Sequence, residues 1–339
     1  MKQSKIKETS KRYAVIDIGT RGVRLLIADA SPQGIDRVVY SIGEMGGLGR
    51  GVTSTGRLSA ASMANVKDIV SKYMDICQKH QVDKIAAIGT EVLRVAKNQG
   101  AFLKKLAPIV EIKVLKLQEE ALFSFLAAAN AFSDGLRPGD MVLVIDQGGG
   151  SVELSCGSIE KDVSYVLRGF DSLGIGTVAL SKIFTEAKTL NDGYIRVMDS
   201  VKCAIKDHRK FSILKEKEPT IIIALGSAIS TLAMQLNGRG KNTLKQMHGY
   251  FIAKKDIEKV ISQTKNVLVQ LSHAPKSNHK NPELAVDSNY ATMFCGILTY
   301  YCVLQKYGGK GVIVSRHGLS YGALLWLAGK TVQINLAIE

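Results

Sequence analysis

Several features are missing from this chain of 339 residues, and each absence removes a class of answer. No apolar run reaches the ~18 residues that a bilayer-spanning helix needs, so no membrane partner is expected. Residues 1–12 are polar and basic without an apolar core segment, which reads as a frayed start and not as a signal peptide. The cysteines, Cys77, Cys156, Cys203, Cys295 and Cys302, form no CxxC pair and are odd in number. Reduced, mostly buried thiols in a cytoplasmic protein are the simplest account. Acidic residues are scarce, 30 against 45 Lys and Arg, which leaves a net charge of +15. Such a field attracts polyanions. Helix-turn-helix, zinc-finger and aromatic-plus-basic RNA signatures are absent, so specific nucleic-acid recognition is not expected.

What is present is organised around Val142-Leu-Val-Ile-Asp146-Gln-Gly148-Gly149-Gly150-Ser151-Val-Glu153-Leu154. Four apolar residues read as a buried strand ending at Asp146. The three glycines predict a tight turn through φ > 0 conformations that only glycine enters freely. A second strand follows, with Val152 and Leu154 on one face and Glu153 on the other. Bare backbone N–H groups in such a turn form an anion nest. Asp146 and Glu153 are candidates to hold magnesium, which favours a shell shared between a few carboxylates and a phosphate. An ordinary glycine-rich hairpin is the alternative.

A second copy weighs against that alternative. Ala14-Val-Ile-Asp17-Ile-Gly19-Thr20-Arg21-Gly22-Val23-Arg24 again has an apolar strand, Asp, one residue, then Gly, with a charged residue seven positions after the Asp. Two such hairpins predict two similar α/β halves facing each other across a cleft, with phosphate between the turns. At 339 residues the chain exceeds the usual size of one core.

These hairpins resemble the phosphate loops of the acetate and sugar kinase, heat-shock chaperone and actin superfamily. Within it, the chain resembles the exopolyphosphatase / guanosine pentaphosphate phosphohydrolase family over about residues 13–325. Leu48-Gly49-Arg50-Gly51-Val52 is similar to that family's Leu-Gly-Glu-Gly-Leu. Thr90-Glu91-Val92-Leu93-Arg94 is similar to its Thr-Ser-Ala-Leu-Arg, and Leu117-Gln118-Glu119-Glu120-Ala121 to its Gly-x-Glu-Glu-Ala. The resemblance implies two ribonuclease-H-like (actin-like ATPase) domains in the short form of the family. They would cover residues 11–132, with a closing segment 321–339 packed back on them, and residues 133–320. It also implies magnesium as cofactor, Glu120 as the catalytic carboxylate, and Arg94 on the cleft wall. Phosphate contacts would come from Asp17, Gly19, Thr20, Arg21, Arg94, Gly148, Gly149, Gly150, Ser151, Gly226 and Ser227. Gly176 and Thr177 either offer N–H groups to a phosphate or cap a helix.

The chain also departs from the family. Arg21 and Gly22 replace Asn-Ser, Arg50 replaces Glu, Leu117 replaces Gly, and Ser320 replaces Arg in the turn Ser315-Arg316-His317-Gly318-Leu319-Ser320. Arg21, Arg24, Arg50 and Arg94 together make an unusually basic cleft, and arginine forks suit phosphate oxygens.

Along the rest of the chain, residues 38–42 read as a third strand and the glycine-dense stretch 43–56 as a loop. Ser59 is placed to cap a helix with Met63, Val66, Ile69, Val70, Tyr73 and Ile76 on its buried face. Strands are expected at 84–88, 110–116, 220–225 and 312–314, and helices over 118–132, 293–307 and 321–329. Residues 206–218 read as a charge-rich solvated face, and 273–289 as a polar loop with Lys276, His279 and Lys280.

The expected activity is therefore magnesium-dependent release of terminal phosphate from polyphosphate or a nucleotide 5′-polyphosphate. Phosphoryl transfer of this kind needs held phosphates, offset charge and an aligned water. A non-hydrolytic sensor of polyphosphate or an alarmone nucleotide is the second reading, favoured by the losses at Leu117 and Ser320. A small-molecule kinase is disfavoured, because no acceptor-substrate motif is visible. Substrate choice, chain-length preference and oligomeric state, a homodimer included, stay open at this level.

Overall fold

The computed structural model describes residues 10–160, 164–206, 211, 214, 218–238, 244–272 and 288–336. The expected frayed start, most of the charge-rich face at 206–218 and the loop with Lys276, His279 and Lys280 lie outside the described residues.

Two compact units divide the chain. The first runs to Asn130 and takes back Leu319–Val332. Its strands are β1 (Lys11–Ile18), β2 (Gly22–Ser31), β3 (Gly34–Met45), β4 (Lys84–Gly89) and β5 (Ile112–Val114). Its helices are α1 (Gly49–Thr55), α2 (Ala60–Lys79), α3 (Glu91–Val95), α4 (Gln99–Leu106) and α5 (Leu117–Ala131). The second unit, Ala131–Gly318 and the chain from Gln333, holds β6 (Met141–Gln147), β7 (Val152–Ile159), β8 (Tyr165–Leu173), β9 (Ile221–Leu225), β10 (Phe251–Ala253), β11 (Gly311–Ser315) and β12 (Gln333–Ile334). Its helices are α6 (Thr177–Thr185), α7 (Leu190–Lys206), α8 (Ser227–Leu236), α9 (Lys254–Ser272) and α10 (Ser288–Tyr307). The last helix, α11 (Leu319–Leu327), belongs to the first unit.

The two sheets repeat one plan. The first has the order β3-β2-β1-β4-β5, and the second contains β8-β7-β6-β9-β11 in the same sense. In each, the first three strands form an antiparallel meander, and two further strands run parallel to the first of them. Parallel neighbours need helical crossovers, supplied in the first unit by α2 and then by α3 and α4. This order is that of a ribonuclease-H-like domain, and its duplication is the actin-like architecture. β10 and β12 extend the second sheet at its edges.

Sequence chemistry accounts for these elements. β6 and β7 are buried along nearly their whole length, as expected of central strands covered on both faces. Ser59 caps α2, its side chain accepting from the Ser62 N–H, and Val66, Ile69, Val70, Tyr73 and Cys77 form the buried stripe. Among the described residues no helix is long and apolar enough to cross a membrane.

Three expectations of secondary structure need correction. The third strand spans Gly34–Met45, longer than residues 38–42, because β2 pairs with it from Gly22↔Met45 to Ser31↔Gly34. Stretch 43–56 is not all loop: it contains α1, closed by Gly56 at φ 69 with its N–H donating to Val52 O. The strand expected over 110–116 is only Ile112–Val114, the length that β4 pairs with. The closing segment also divides. α11 packs Ala323, Leu324 and Ala328 against Tyr13, Val15, Leu26 and Ala28, whereas Gln333–Ile334 pair with β8 of the second sheet.

The closest packing of α11 is at Gly322, where an added Cβ would lie 1.8 Å from the Phe123 carbonyl oxygen. Overpacking against backbone costs on the order of 1–3 kcal/mol. Gly322→Ala is therefore expected to lower the thermal midpoint by several degrees. Gly318→Ala, with nothing within 4 Å of its new methyl, should leave the midpoint unchanged in the same melting experiment.

Candidate active site

Each unit carries the same turn at the same place in its sheet. Gly19 N–H donates to Gly22 O at 2.9 Å, and Gly148 N–H donates to Ser151 O at 2.9 Å. The N–H groups of Thr20 and Arg21, and those of Gly149 and Gly150, have no hydrogen-bond partner among the described residues. Consecutive N–H groups left bare in a closed turn form an anion nest. Strand register puts Asp17 opposite Arg24 and Asp146 opposite Glu153, so each charged pair shares one face of its sheet.

The glycines act differently from the sequence expectation. The positive-φ glycines among the described residues lie elsewhere, and Gly148, Gly149 and Gly150 are not among them. What the second turn requires is close approach. A Cβ on Gly176 would lie 2.3 Å from Gly149 O and from the Gly150 carbonyl carbon. The N–H groups of Gly176, Thr177 and Val178 donate to Gly150 O, Gly148 O and Gly149 O at 2.7, 3.2 and 2.9 Å. The start of α6 thus takes up the carbonyls of the turn and fixes it. Gly176 and Thr177 therefore do not offer their N–H groups to a phosphate.

Beside this turn, Ser151 is buried and its hydroxyl donates to Glu153 Oε1 at 2.5 Å, while Ser172 Oγ donates to the same oxygen at 3.1 Å. Ser151 thus directs its hydroxyl at Glu153. Asp146 is half-buried. It sits near Tyr300, whose phenol burial pushes well above its usual range, with the Asp146 charge adding to the effect. Tyr300 donates to Leu225 O at 2.5 Å. Gly226 has φ 130, and a Cβ there would meet Gln147 O and Tyr300 Oη at 2.8 Å, so glycine is needed where β9 turns into α8. Ser227, the first residue of α8, is exposed. Among the described residues no group of three or more His, Cys, Asp or Glu is arranged to hold a metal. Asp146 and Glu153 are two hard oxygen donors on one face, and that donor set fits magnesium, which completes its shell with water and phosphate.

In the first unit, Asp17, one residue before the end of β1, is buried, and Ser320 Oγ donates to its Oδ2 at 3.3 Å. Glu120 is buried and paired with Arg94, Nη1 to Oε2 at 2.5 Å, and the same Nη1 donates to Leu115 O at 2.9 Å. Nη2 and Nε of Arg94 make no hydrogen bond among the described residues. The neighbouring Glu119 is tied otherwise. It accepts the Lys116 N–H at 2.9 Å and pairs with Lys113 at 2.5 Å. Burial pushes its carboxyl up, but Lys113 and the Lys116 N–H outweigh burial and hold it below the usual range. Glu119 thus caps α5, as a first-turn acid does, and Glu120 is the one turned inward. Sequence reasoning passed over Glu91, the first residue of α3. Burial raises its carboxyl, opposed by Arg94 and by the Thr20 hydroxyl. The signal was available: it lies three residues before Arg94, one helical turn away.

The model of the Ppx/GppA phosphatase family matches residues 27–282. This chain belongs to that family. Among solved structures, an Aquifex aeolicus Ppx/GppA family member is 26% identical, with a TM-score of 0.72 over 94% of this chain and 97% of that one. Exopolyphosphatase 2 of Mycobacterium tuberculosis is 29% identical over 50% of this chain and 54% of its own length. A bifunctional 3-dehydroquinate synthase/phosphatase of Fusobacterium nucleatum is 26% identical over 92% of this chain and 46% of its own. The chain thus spans about half the length of these curated relatives.

The dependence of the second turn on Gly176 is directly testable in this Ppx/GppA protein. Gly176→Ala should displace the turn and weaken binding of a polyphosphate probe at least about tenfold, a loss of ~1.4 kcal/mol. Titration calorimetry on a variant that still melts cooperatively measures it; unchanged affinity would mean that the turn holds no phosphate.

Proposed function

We propose that the protein hydrolyses phosphoanhydride bonds with magnesium, releasing terminal phosphate from inorganic polyphosphate or from a nucleotide 5′-polyphosphate such as guanosine pentaphosphate. The observation that carries this reading is the duplicated turn, with two bare N–H groups and an Asp one residue before the strand end in each unit. Family membership supports it, as do the activities for which relatives are named: an exopolyphosphatase, and a guanosine-5′-triphosphate,3′-diphosphate pyrophosphatase of Photobacterium profundum that is 29% identical over 58% of this chain and 38% of its own length.

The roles follow from the contacts. The N–H groups of Thr20 and Arg21, and of Gly149 and Gly150, hold phosphate oxygens, with Gly19 and Gly148 closing the turns. Arg94 offers Nη2 and Nε to phosphate while Nη1 holds Glu120. Ser151 supports Glu153, and Gly226 and Ser227 bring the start of α8 to the end of β9. Asp146 and Glu153 would hold magnesium, which supplies charge compensation for the phosphates when bound. Glu120, buried and fixed by Arg94, orients or deprotonates the attacking water. A cytoplasmic setting suits the unpaired cysteines, four of the five buried, and a homodimer suits the reading equally.

Two variants separate hydrolysis from binding. Glu120→Gln keeps the shape and removes the charge, so phosphate release should fall by about a hundredfold or more while polyphosphate affinity holds or improves. Glu119→Gln, a change at a helix cap, should do much less. Asp146→Ala should weaken magnesium-dependent turnover with a cooperative melt retained; loss of the melt would make Asp146 a structural residue. A wild type that binds polyphosphate but releases none, with Glu120→Gln indistinguishable from it, would make the protein a sensor. The Ser320–Asp17 contact, standing where the family has an arginine, is the feature that favours that second reading.

A further inference from the structure

The loop folded over the first turn carries more positive charge than the turn needs. Gly46 and Gly47 donate their N–H groups to Arg21 O, both at 3.0 Å, and Gly49 donates to Thr20 O at 2.9 Å. The approach is tight: a Cβ on Gly49 would lie 2.4 Å from Thr20 Cγ2. Leu48, fully buried, anchors the segment. From this base α1 presents Arg50, exposed, with its Nε 3.7 Å from the Cβ position of Gly47. Arg57 follows, exposed, its carbonyl lying against Gly51. Lys97 then donates its N–H to Gly56 O at 3.0 Å and lays its side chain along Gly56. Asn98 closes the assembly by a pair of bonds to Leu58, 2.8 and 2.9 Å.

Arg21, Arg50, Arg57 and Lys97 therefore ride on one hydrogen-bonded backbone assembly continuous with the bare N–H groups of Thr20 and Arg21. None of the four is in an ion pair among the described residues. The carboxylate at the end of β3, Glu44, is taken by Lys72. Solvated surface cations are common, but these are held on a hydrogen-bonded, glycine-packed frame beside an anion nest. Two of them, Arg21 and Arg50, stand where the family resemblance has Asn and Glu. Residues 46–58 contain no aromatic ring to stack on a base and no carboxylate to bond a ribose.

We propose that the α1 loop is a basic track that binds the phosphates beyond the one at the Thr20 turn, making the protein selective for long-chain inorganic polyphosphate over short or nucleotide-ended substrates. This rests on the hydrolase reading above and narrows its substrate. Each arginine on the track contributes a charge-assisted contact and a released counterion. A long chain engages all four cations, whereas tripolyphosphate at the turn does not extend to Arg57 and Lys97.

The test compares wild type, Arg50→Glu and the double variant Arg57→Ala, Lys97→Ala. KM for long-chain polyphosphate and for tripolyphosphate is measured at low and moderate salt, with melts as a folding control. Arg50→Glu should raise KM for the long chain about tenfold or more and flatten its salt dependence. The double variant, which leaves Arg50 in place, should shift the long-chain KM the same way. In the double variant, whose residues lie away from the turn, kcat and the tripolyphosphate KM should stay within about twofold. Equal losses for both substrates, or none for either, would overturn the track. So would single-stranded RNA competing as well as long-chain polyphosphate at equal phosphate concentration, since the surface would then be generic. Should wild type release no phosphate from any substrate, the hydrolase reading falls. Equilibrium binding of the same two phosphates to wild type and Arg50→Glu then decides the track by itself.

Discussion

A hydrogen bond that closes four residues governs the candidate site. Gly19 N–H to Gly22 O, and Gly148 N–H to Ser151 O, shut each turn from within. Once shut, the turn has no internal acceptor for its next two N–H groups, which is what leaves them for an anion. The same bond fixes the register of the strands on either side. It therefore decides that Asp17 faces Arg24 and that Asp146 faces Glu153. One turn thus presents a cation beside its acid and the other a second acid, a difference that suits phosphate in the first case and a divalent cation in the second.

Around that constraint, hydrogen-bond partners sort residues that look alike in the sequence. Glu119 and Glu120 are neighbours, yet one accepts a backbone N–H and a lysine at the start of α5 and the other is buried against Arg94. Ser151 and Gly176 both flank the glycine turn. The serine hydroxyl goes to Glu153, and the glycine is present because its backbone lies against Gly149 and Gly150. A buried carboxylate with a guanidinium at 2.5 Å is costly to unpair, so the Arg94–Glu120 pair is a fixed part of the first unit.

Much of this was legible in the sequence because hydrophobic runs and turn chemistry are local. The two strand–Asp–x–Gly hairpins, the Ser59 cap and the buried stripe of α2 all follow from short-range rules. The misses were of another kind. β3 is polar and half-exposed, so its extent is set by pairing with β2 and not by its own pattern. α1 hides in a glycine-dense stretch because its glycines serve close approach to Thr20 and to Arg57, a tertiary demand. The glycines at 148–150 were expected to supply positive φ and do not, and the glycine that close approach demands is Gly176, whose Cβ would meet the Gly149 carbonyl oxygen. Glu91 was passed over because its burial, and the Thr20 hydroxyl beside it, appear only once α3 is placed on the first turn.

The central claim is that these turns hold phosphates for a magnesium-assisted hydrolysis. Phosphate release from long-chain polyphosphate by the intact protein, with and without magnesium, tests it most directly. The account predicts steady release with magnesium and release lowered by at least about a hundredfold once the metal is chelated, as expected when a bound cation offsets the developing charge. Release that is unchanged by chelation, or no release under either condition, would contradict it.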